Sequence, residues 1–152
     1  MSTAVDTSRE DPLVSFHFAL DVQGEIAGYF TEVAGLGSET EVIEAKTVNE
    51  KGVEVVIKVP GRLKWGDITL KRGITSNLDI WNWRKTVEDG KVKDARRNGS
   101  IIMYDQELGE KARWNFLGAW PSKVSGPTPK ADSNEFGVEE LVLVHEYITR
   151  VT

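Results

Sequence analysis

The stretch from Gly61 to Gly90, GRLKWGDITLKRGITSNLDIWNWRKTVEDG, constrains the chain most, because a strand pattern runs directly into a helix pattern there. Ile68 and Leu70 alternate with Asp67, Thr69 and Lys71, giving one apolar and one polar face at the strand period of two. Gly73 breaks the run. A helix over about residues 77–89 follows, with Ser76 or Asn77 as its N-cap and Asp79 favouring the positive end of the helix dipole. Three- and four-residue spacing spreads Leu78, Ile80, Trp81, Trp83 and Val87 over overlapping faces. Core packing is expected of Leu78, Trp81 and Val87. Gly90 stands where a left-handed glycine ends a helix. Strand patterns surround this one helix, which must then plug or flank a sheet or barrel.

Upstream, Val14, Phe16, Phe18, Leu20 and Val22 alternate with Ser15, His17, Ala19, Asp21 and Gln23, the pattern of a half-buried strand. A turn at Gln23-Gly24-Glu25 leads to a partner strand over Ile26–Val33, and the glycine-rich Ala34–Gly37 ends it. Glu39 to Pro60 is the longest hairpin candidate, folded about Asn49-Glu50-Lys51-Gly52. Its first arm has no purely apolar face and its second carries valine on both. An ordinary twisted hairpin in a sandwich fits this pattern. So does a hairpin covered on both faces, once by its own domain and once by a neighbouring subunit. Pro60, which cannot donate to a ladder, marks the strand end.

Past the helix, Lys91–Asn98 reads as a charged connector and Asn98-Gly99 as a turn. Ser100–Gln106 and Lys111–Trp120 form a second hairpin. Residues 121–137 hold three of the five prolines and read as a long loop of the kind that makes contacts. Glu139–Val151 closes the chain as a strand partly buried on both faces. The fold class is mainly β, a barrel-like two-sheet domain with one flanking helix.

At 152 residues the chain suits one domain, with a tail over residues 1–12 and the domain over 13–152. The 24 acidic and 19 basic residues leave a net charge of −5, which argues against a dominant nucleic-acid surface. With no cysteine there are no disulfides or thiolate metal sites. No apolar run is long enough to cross a membrane, and the polar N-terminus lacks the apolar core of a signal peptide.

The pattern offers little chemistry. His17 and His145 lie far apart without a third ligand at characteristic spacing, so no metal site is assigned. Nucleophile elbows, phosphate loops and dinucleotide fingerprints are missing. Acidic pairs such as Glu88-Asp89 and Glu139-Glu140 read as solvated faces. No catalytic residue and no cofactor is expected. Of Trp65, Trp81, Trp83, Trp114 and Trp120, at least three should pack in the core. Two rival classes remain: a monomeric β-sandwich binding module using exposed tryptophans on glycans, and a hydrolase with a converging carboxylate pair.

Several motifs, in order, carry a resemblance. They are Phe30–Leu36 (FTEVAGL), Pro60-Gly61-Arg62, Ile68–Thr75 (ITLKRGIT) with Leu78 and Trp81, Trp114-Asn115-Phe116, and Ala119–Lys123 (AWPSK). Gly126-Pro127, Ser133-Asn134-Glu135, Val138–Leu141 (VEEL) and His145-Glu146 continue it. From about Phe16 to Val151 the chain resembles the tail tube proteins shared by phage tails and extracellular contractile injection systems, and more distantly the tube subunit of type VI secretion. The resemblance implies a structural inner-tube subunit whose hexameric rings stack into a hollow tube. A sheath drives that tube through a target envelope, baseplate or spike and terminator proteins close its ends, and its lumen conducts cargo. Assembly in the bacterial cytoplasm is implied as well. A lumen holding the acidic excess would repel acidic cargo. Subunit contacts are expected at the hairpin tip (Val48, Asn49, Glu50, Lys51, Gly52, Val53) and the proline-rich loop (Pro127, Thr128, Pro129, Ser133, Asn134, Glu135).

Overall fold

The computed structural model describes residues 17–126 and 137–152. Its strands are β1 (His17–Val22), β2 (Glu25–Phe30), β3 (Glu32–Ala34), β4 (Ser38–Val48), β5 (Glu54–Trp65), β6 (Ile68–Gly73), β7 (Arg97–Tyr104), β8 (Glu110–Ser125), β9 (Val138–Val144) and β10 (Tyr147–Arg150). The helices are α1 (Asp79–Glu88) and α2 (Val92–Ala95). Eight strands make one antiparallel sheet in the order β2-β1-β7-β8-β9-β6-β3, with β10 also paired to β8. Strands β4 and β5 form a separate two-stranded sheet. The architecture is mainly β, in two sheets, and among the described residues neither sheet closes a barrel.

Alternation decides which side chains go inside. Leu20 and Val22 of β1, Ile68 and Leu70 of β6, Ile101 of β7, and Leu141 and Leu143 of β9 meet Phe30 and Phe116 in one core. Full burial of each such side chain contributes about 1.5–3 kcal/mol. Helix α1 covers this core from β8 and β2, burying Ile80 and Trp83. The Trp83 indole N–H donates to the Ala95 carbonyl at 2.6 Å, fastening α2 to α1. Helix α1 ends as its glycine requires. Gly90 has φ +81°, its N–H donates to Val87, and the Lys91 N–H donates to Thr86, the paired bonds of a Schellman motif.

Several boundaries differ from the sequence reading. Helix α1 begins at Asp79 with Leu78 at the N-cap position and no side-chain cap; Asn77 Oδ1 instead accepts from the Asp79 N–H at 2.8 Å. Leu78 sits before the first turn and is 60% exposed, so the core positions are Ile80 and Trp83 instead. Trp81 packs half-buried against the core, and Val87 is half-buried. The strand expected over Ile26–Val33 breaks at Thr31, whose N–H and hydroxyl both donate to the Lys71 carbonyl, and β3 moves over to pair with β6.

Asn98-Gly99 is not a turn but lies within β7, beside a bulge. Its glycine is there for close approach, since a Cβ at Gly99 would overlap the Asp21 carbonyl oxygen of β1. The connector over Lys91–Asn98 contains the short helix α2. The loop expected from Pro121 begins later, because β8 runs on to Ser125 against β9. The last strand is two, since Glu146 breaks the run and its N–H donates to Leu117. The expected tail over residues 1–12 and the first positions of the opening strand, Val14 and Phe16, lie outside the described residues.

Candidate functional site

The hairpin of β4 and β5 is the feature that the rest of the fold does not account for. Its strands run 11 and 12 residues, yet both outer edges lack a strand partner among the described residues. Val42, Val48, Val53, Val56, Ile57 and Leu63 are between 43% and 64% exposed. The sequence allowed a hairpin covered on one face by its own domain. Instead both faces of the ribbon stand largely open, and only positions such as Ala45, Val55, Gly61 and Trp65 are partly buried. A two-stranded ribbon alone in water is marginal at best.

The register sorts its side chains. Beyond the middle of the arm, Ile43 opposes Val59, Ala45 opposes Ile57 and Thr47 opposes Val55, which makes one uncharged face. On the other face Glu44 opposes Lys58, Lys46 opposes Val56 and Val48 opposes Glu54. A bulge sets Gly61 and Arg62 against Glu41, and below it the polarity changes sides. There Leu63 and Trp65 oppose Thr40 and Ser38, while Glu39 opposes Lys64 on the other face. A Cβ at Gly61 would lie 2.8 Å from Ile43 Cδ1, so glycine lets the two strands stay close at the bulge.

The two ends of the arm are built differently. At the tip, Asn49 Oδ1 accepts from the N–H groups of Lys51 at 2.9 Å and Val53 at 3.0 Å, and Gly52 takes φ +79°. Val48 and Val53 flank that turn, with Glu50 and Lys51 exposed on it. At the base, Trp65 packs edge-on to Tyr147 with ring centres 5.3 Å apart, and His145 Nε2 lies 2.9 Å from the Gly66 carbonyl oxygen. The base therefore holds to the body while the tip leaves it. The proline-rich loop residues Pro127, Thr128, Pro129, Ser133, Asn134 and Glu135 lie outside the described residues.

One arrangement was missed in the sequence. Arg72 of β6 and Glu139 of β9, each 3% exposed, form a buried ion pair with Nε to Oε2 at 3.0 Å. The Trp81 indole N–H donates to Glu139 Oε1 at 3.1 Å, and Arg72 Nη2 donates to the Asn77 carbonyl at 3.1 Å. The guanidinium also lies 5.2 Å from the Phe30 ring centre. The signal was present: Arg72 falls on the inward side with Ile68 and Leu70, and Glu139 on that of Leu141 and Leu143. The network joins the helix start to the sheet and is structural. His17 and His145 belong to β1 and to the link between β9 and β10. Trp83 is buried and Trp65, Trp81 and Trp114 pack partly against the core, which removes most of the exposed indole surface that a glycan module needs.

Among the described residues an open antiparallel sheet with a helix on one face carries an arm whose edges are unpaired, the kind of edge to which another strand can add. Residues 14–149 match the family model described as T4-like virus tail tube protein gp19, and the chain belongs to that family of structural tube subunits. The fold is similar to a solved chain of an extracellular contractile injection system, the PVC sheath-tube complex in the extended state. That likeness has a TM-score of 0.70 at 22% identity and covers 99% of this chain and 98% of the other. A chain of the PVC sheath/tube terminator gives 0.70 at 22% identity over 91% and 94%. Hcp1 from Salmonella typhimurium gives 0.51 at 14% identity over 90% and 85%. A search of curated proteins finds no match.

Proposed function

We propose that this chain is the inner-tube subunit of a contractile injection particle or phage-like tail. Six copies form a ring and the rings stack into a hollow tube. A sheath encloses the tube, baseplate and terminator proteins bound it, and sheath contraction drives it through a target envelope. The role is mechanical, and the chain performs no catalysis. One observation carries this reading: among the described residues the arm of β4 and β5 is a long ribbon whose two edges have no strand partner and whose apolar side chains face water. Neighbouring copies that add strands to those edges would satisfy the open backbone groups and remove the edges altogether. The tip from Val48 to Val53 is then a contact between copies, and the loop with Pro127, Thr128, Pro129, Ser133, Asn134 and Glu135 is a second one.

The test is negative-stain electron microscopy of the purified protein over a concentration series, alone and with baseplate and sheath partners. Rings or hollow tubes with a central pore are expected. Particles that stay monomeric with every partner present would overturn the reading.

A further inference from the structure

We propose that copies join head to tail, the acidic outer edge of β4 on one arm lying against the basic outer edge of β5 on the next. The two strands share an antiparallel ladder in the tip half of the arm, and it stops at Pro60. This rests on the tube reading and deepens it by naming which edge meets which. Strand β4 carries Glu39, Glu41 and Glu44 with Lys46, whereas β5 carries Lys58, Arg62 and Lys64 with Glu54. The ribbon is net acidic along one edge and net basic along the other. Among the described residues the only ion pair within the arm joins Lys46 and Glu54, while Glu39, Glu41, Arg62 and Lys64 stand exposed.

The backbone decides where a shared ladder can form. At the tip the Asn49 N–H donates to the Val53 carbonyl at 2.9 Å, which makes these two a hydrogen-bonded pair. Bonded and open pairs alternate along an antiparallel ladder. Val48 with Glu54, Lys46 with Val56 and Glu44 with Lys58 are therefore open pairs, and their N–H and C=O groups point away from the ribbon. Val42 with Pro60 is the next open pair, so the residue without an N–H falls where none is bonded within the arm. On β4 the outward donors continue to Val42, whereas on β5 they end at Lys58. A strand added to β5 meets no donor at Pro60, and the bulge beyond it breaks the register.

Charge selects the partner strand. A two-fold contact of like edges would set acid on acid or base on base, and like charges on facing strands repel. A head-to-tail contact sets acid on base and is the kind that closes rings. Arms pointing the same way around a ring make β4 and the next copy's β5 antiparallel, as they are within one arm. At equal height the outward groups of Glu44 meet those of Lys58 on the next copy, and Glu39 and Glu41 stand near that copy's Lys64 and Arg62.

The chain has no cysteine, so single introduced thiols report the contact directly. Glu44→Cys and Lys58→Cys proteins are assembled separately and as an equal mixture, checked as rings or tubes by microscopy, and treated with a short thiol-to-thiol crosslinker. Crosslinked dimer should form in the mixture and be absent from either protein alone. Dimer from one protein alone, or none in the mixture, would overturn the proposal. A second pair of variants tests the charges. Glu39→Lys with Glu41→Lys makes both edges basic, and Arg62→Glu with Lys64→Glu makes both acidic, so each alone should lose its rings. Mixed in equal parts they should regain them by alternating around a six-membered ring. Mixing restores opposite signs only between chains, so this rescue reports on the contact between copies. No rescue, or unimpaired assembly of either alone, would overturn the assignment. In the parent tube the amides of Glu44, Lys46, Glu54 and Lys58 should lose their fast exchange; amides that stay fast would remove the ladder. A parent chain that forms no rings with every partner present loses the tube reading as well, whereas rings with the wrong crosslinks lose only the edge assignment.

Discussion

The body of the molecule and its arm use the same strand chemistry to opposite ends. In the body, eight strands share one core, and even the charged pair Arg72 and Glu139 is enclosed with its partners satisfied. In the arm, two strands of 11 and 12 residues enclose no core of their own, and valines that would be core elsewhere face water. The eight-stranded sheet buries one face in a shared core, whereas the ribbon leaves both faces largely open and, among the described residues, both long edges without a strand partner. The comparison predicts that substitutions in the body change folding and that substitutions in the arm change assembly.

The largest effect on folding should come from Glu139→Gln. Removing one member of the buried pair strands the Arg72 guanidinium, at a cost of about 3–5 kcal/mol in chemical denaturation. Replacing both, Arg72→Met with Glu139→Leu, should recover most of that loss; a double variant as unstable as the single one would show that more than the pair is involved. Trp81→Ala comes next, at roughly 2–3 kcal/mol for lost packing and the lost bond to Glu139. A cost near zero would remove Trp81 from the account of the helix.

A smaller effect belongs to the β7–β8 turn, where Leu108 takes φ +64°. There Asp105 Oδ1 accepts from the N–H groups of Gly109 at 2.8 Å and Glu107 at 2.9 Å. The Gly109 N–H first, then Lys111, hold this carboxyl below its usual value of 3.8. A lowered folded value means that its stabilisation is fully present above the unfolded value and is lost as pH falls through the folded one. Asp105→Asn should therefore be less stable than the parent at neutral pH, with the deficit fading in acid. A deficit that persisted unchanged at low pH would contradict the turn's role.

The smallest effect on folding, and the largest on assembly, should come from the arm. Ile57→Asp should shift monomer stability by no more than about 0.5 kcal/mol, as an exposed position does, yet prevent tube formation. Deleting Asn49 to Gly52 should likewise leave the circular-dichroism spectrum native while stopping the rings from stacking. Loss of that spectrum would make the hairpin part of the core after all.

The sequence made the body legible where alternation was clean, as in Ile68 and Leu70 or in Leu141 and Leu143. It also placed the end of α1 at Gly90, because only the left-handed turn needed that glycine. It failed where tertiary contact outweighed local preference. Asn98-Gly99 has turn chemistry but serves a close approach to β1, and Leu78 has core chemistry but falls outside the helix. The arm was half legible. Its hairpin and tip turn were plain, but periodicity cannot distinguish a strand buried by its own domain from one awaiting another chain. The exchange of faces at Gly61 depends on a single extra residue in β5, which no alternation count fixes in advance.

Hydrogen exchange on the amides of β4 and β5, compared between dilute monomer and assembled tubes, tests the central claim most directly. In the monomer the outward-facing amides of both arm strands should exchange fast while the β7–β8 core amides are protected. On assembly the arm amides should slow by orders of magnitude, with the body unchanged. Arm amides equally exposed in monomer and tube would show that neighbouring copies do not complete the ribbon.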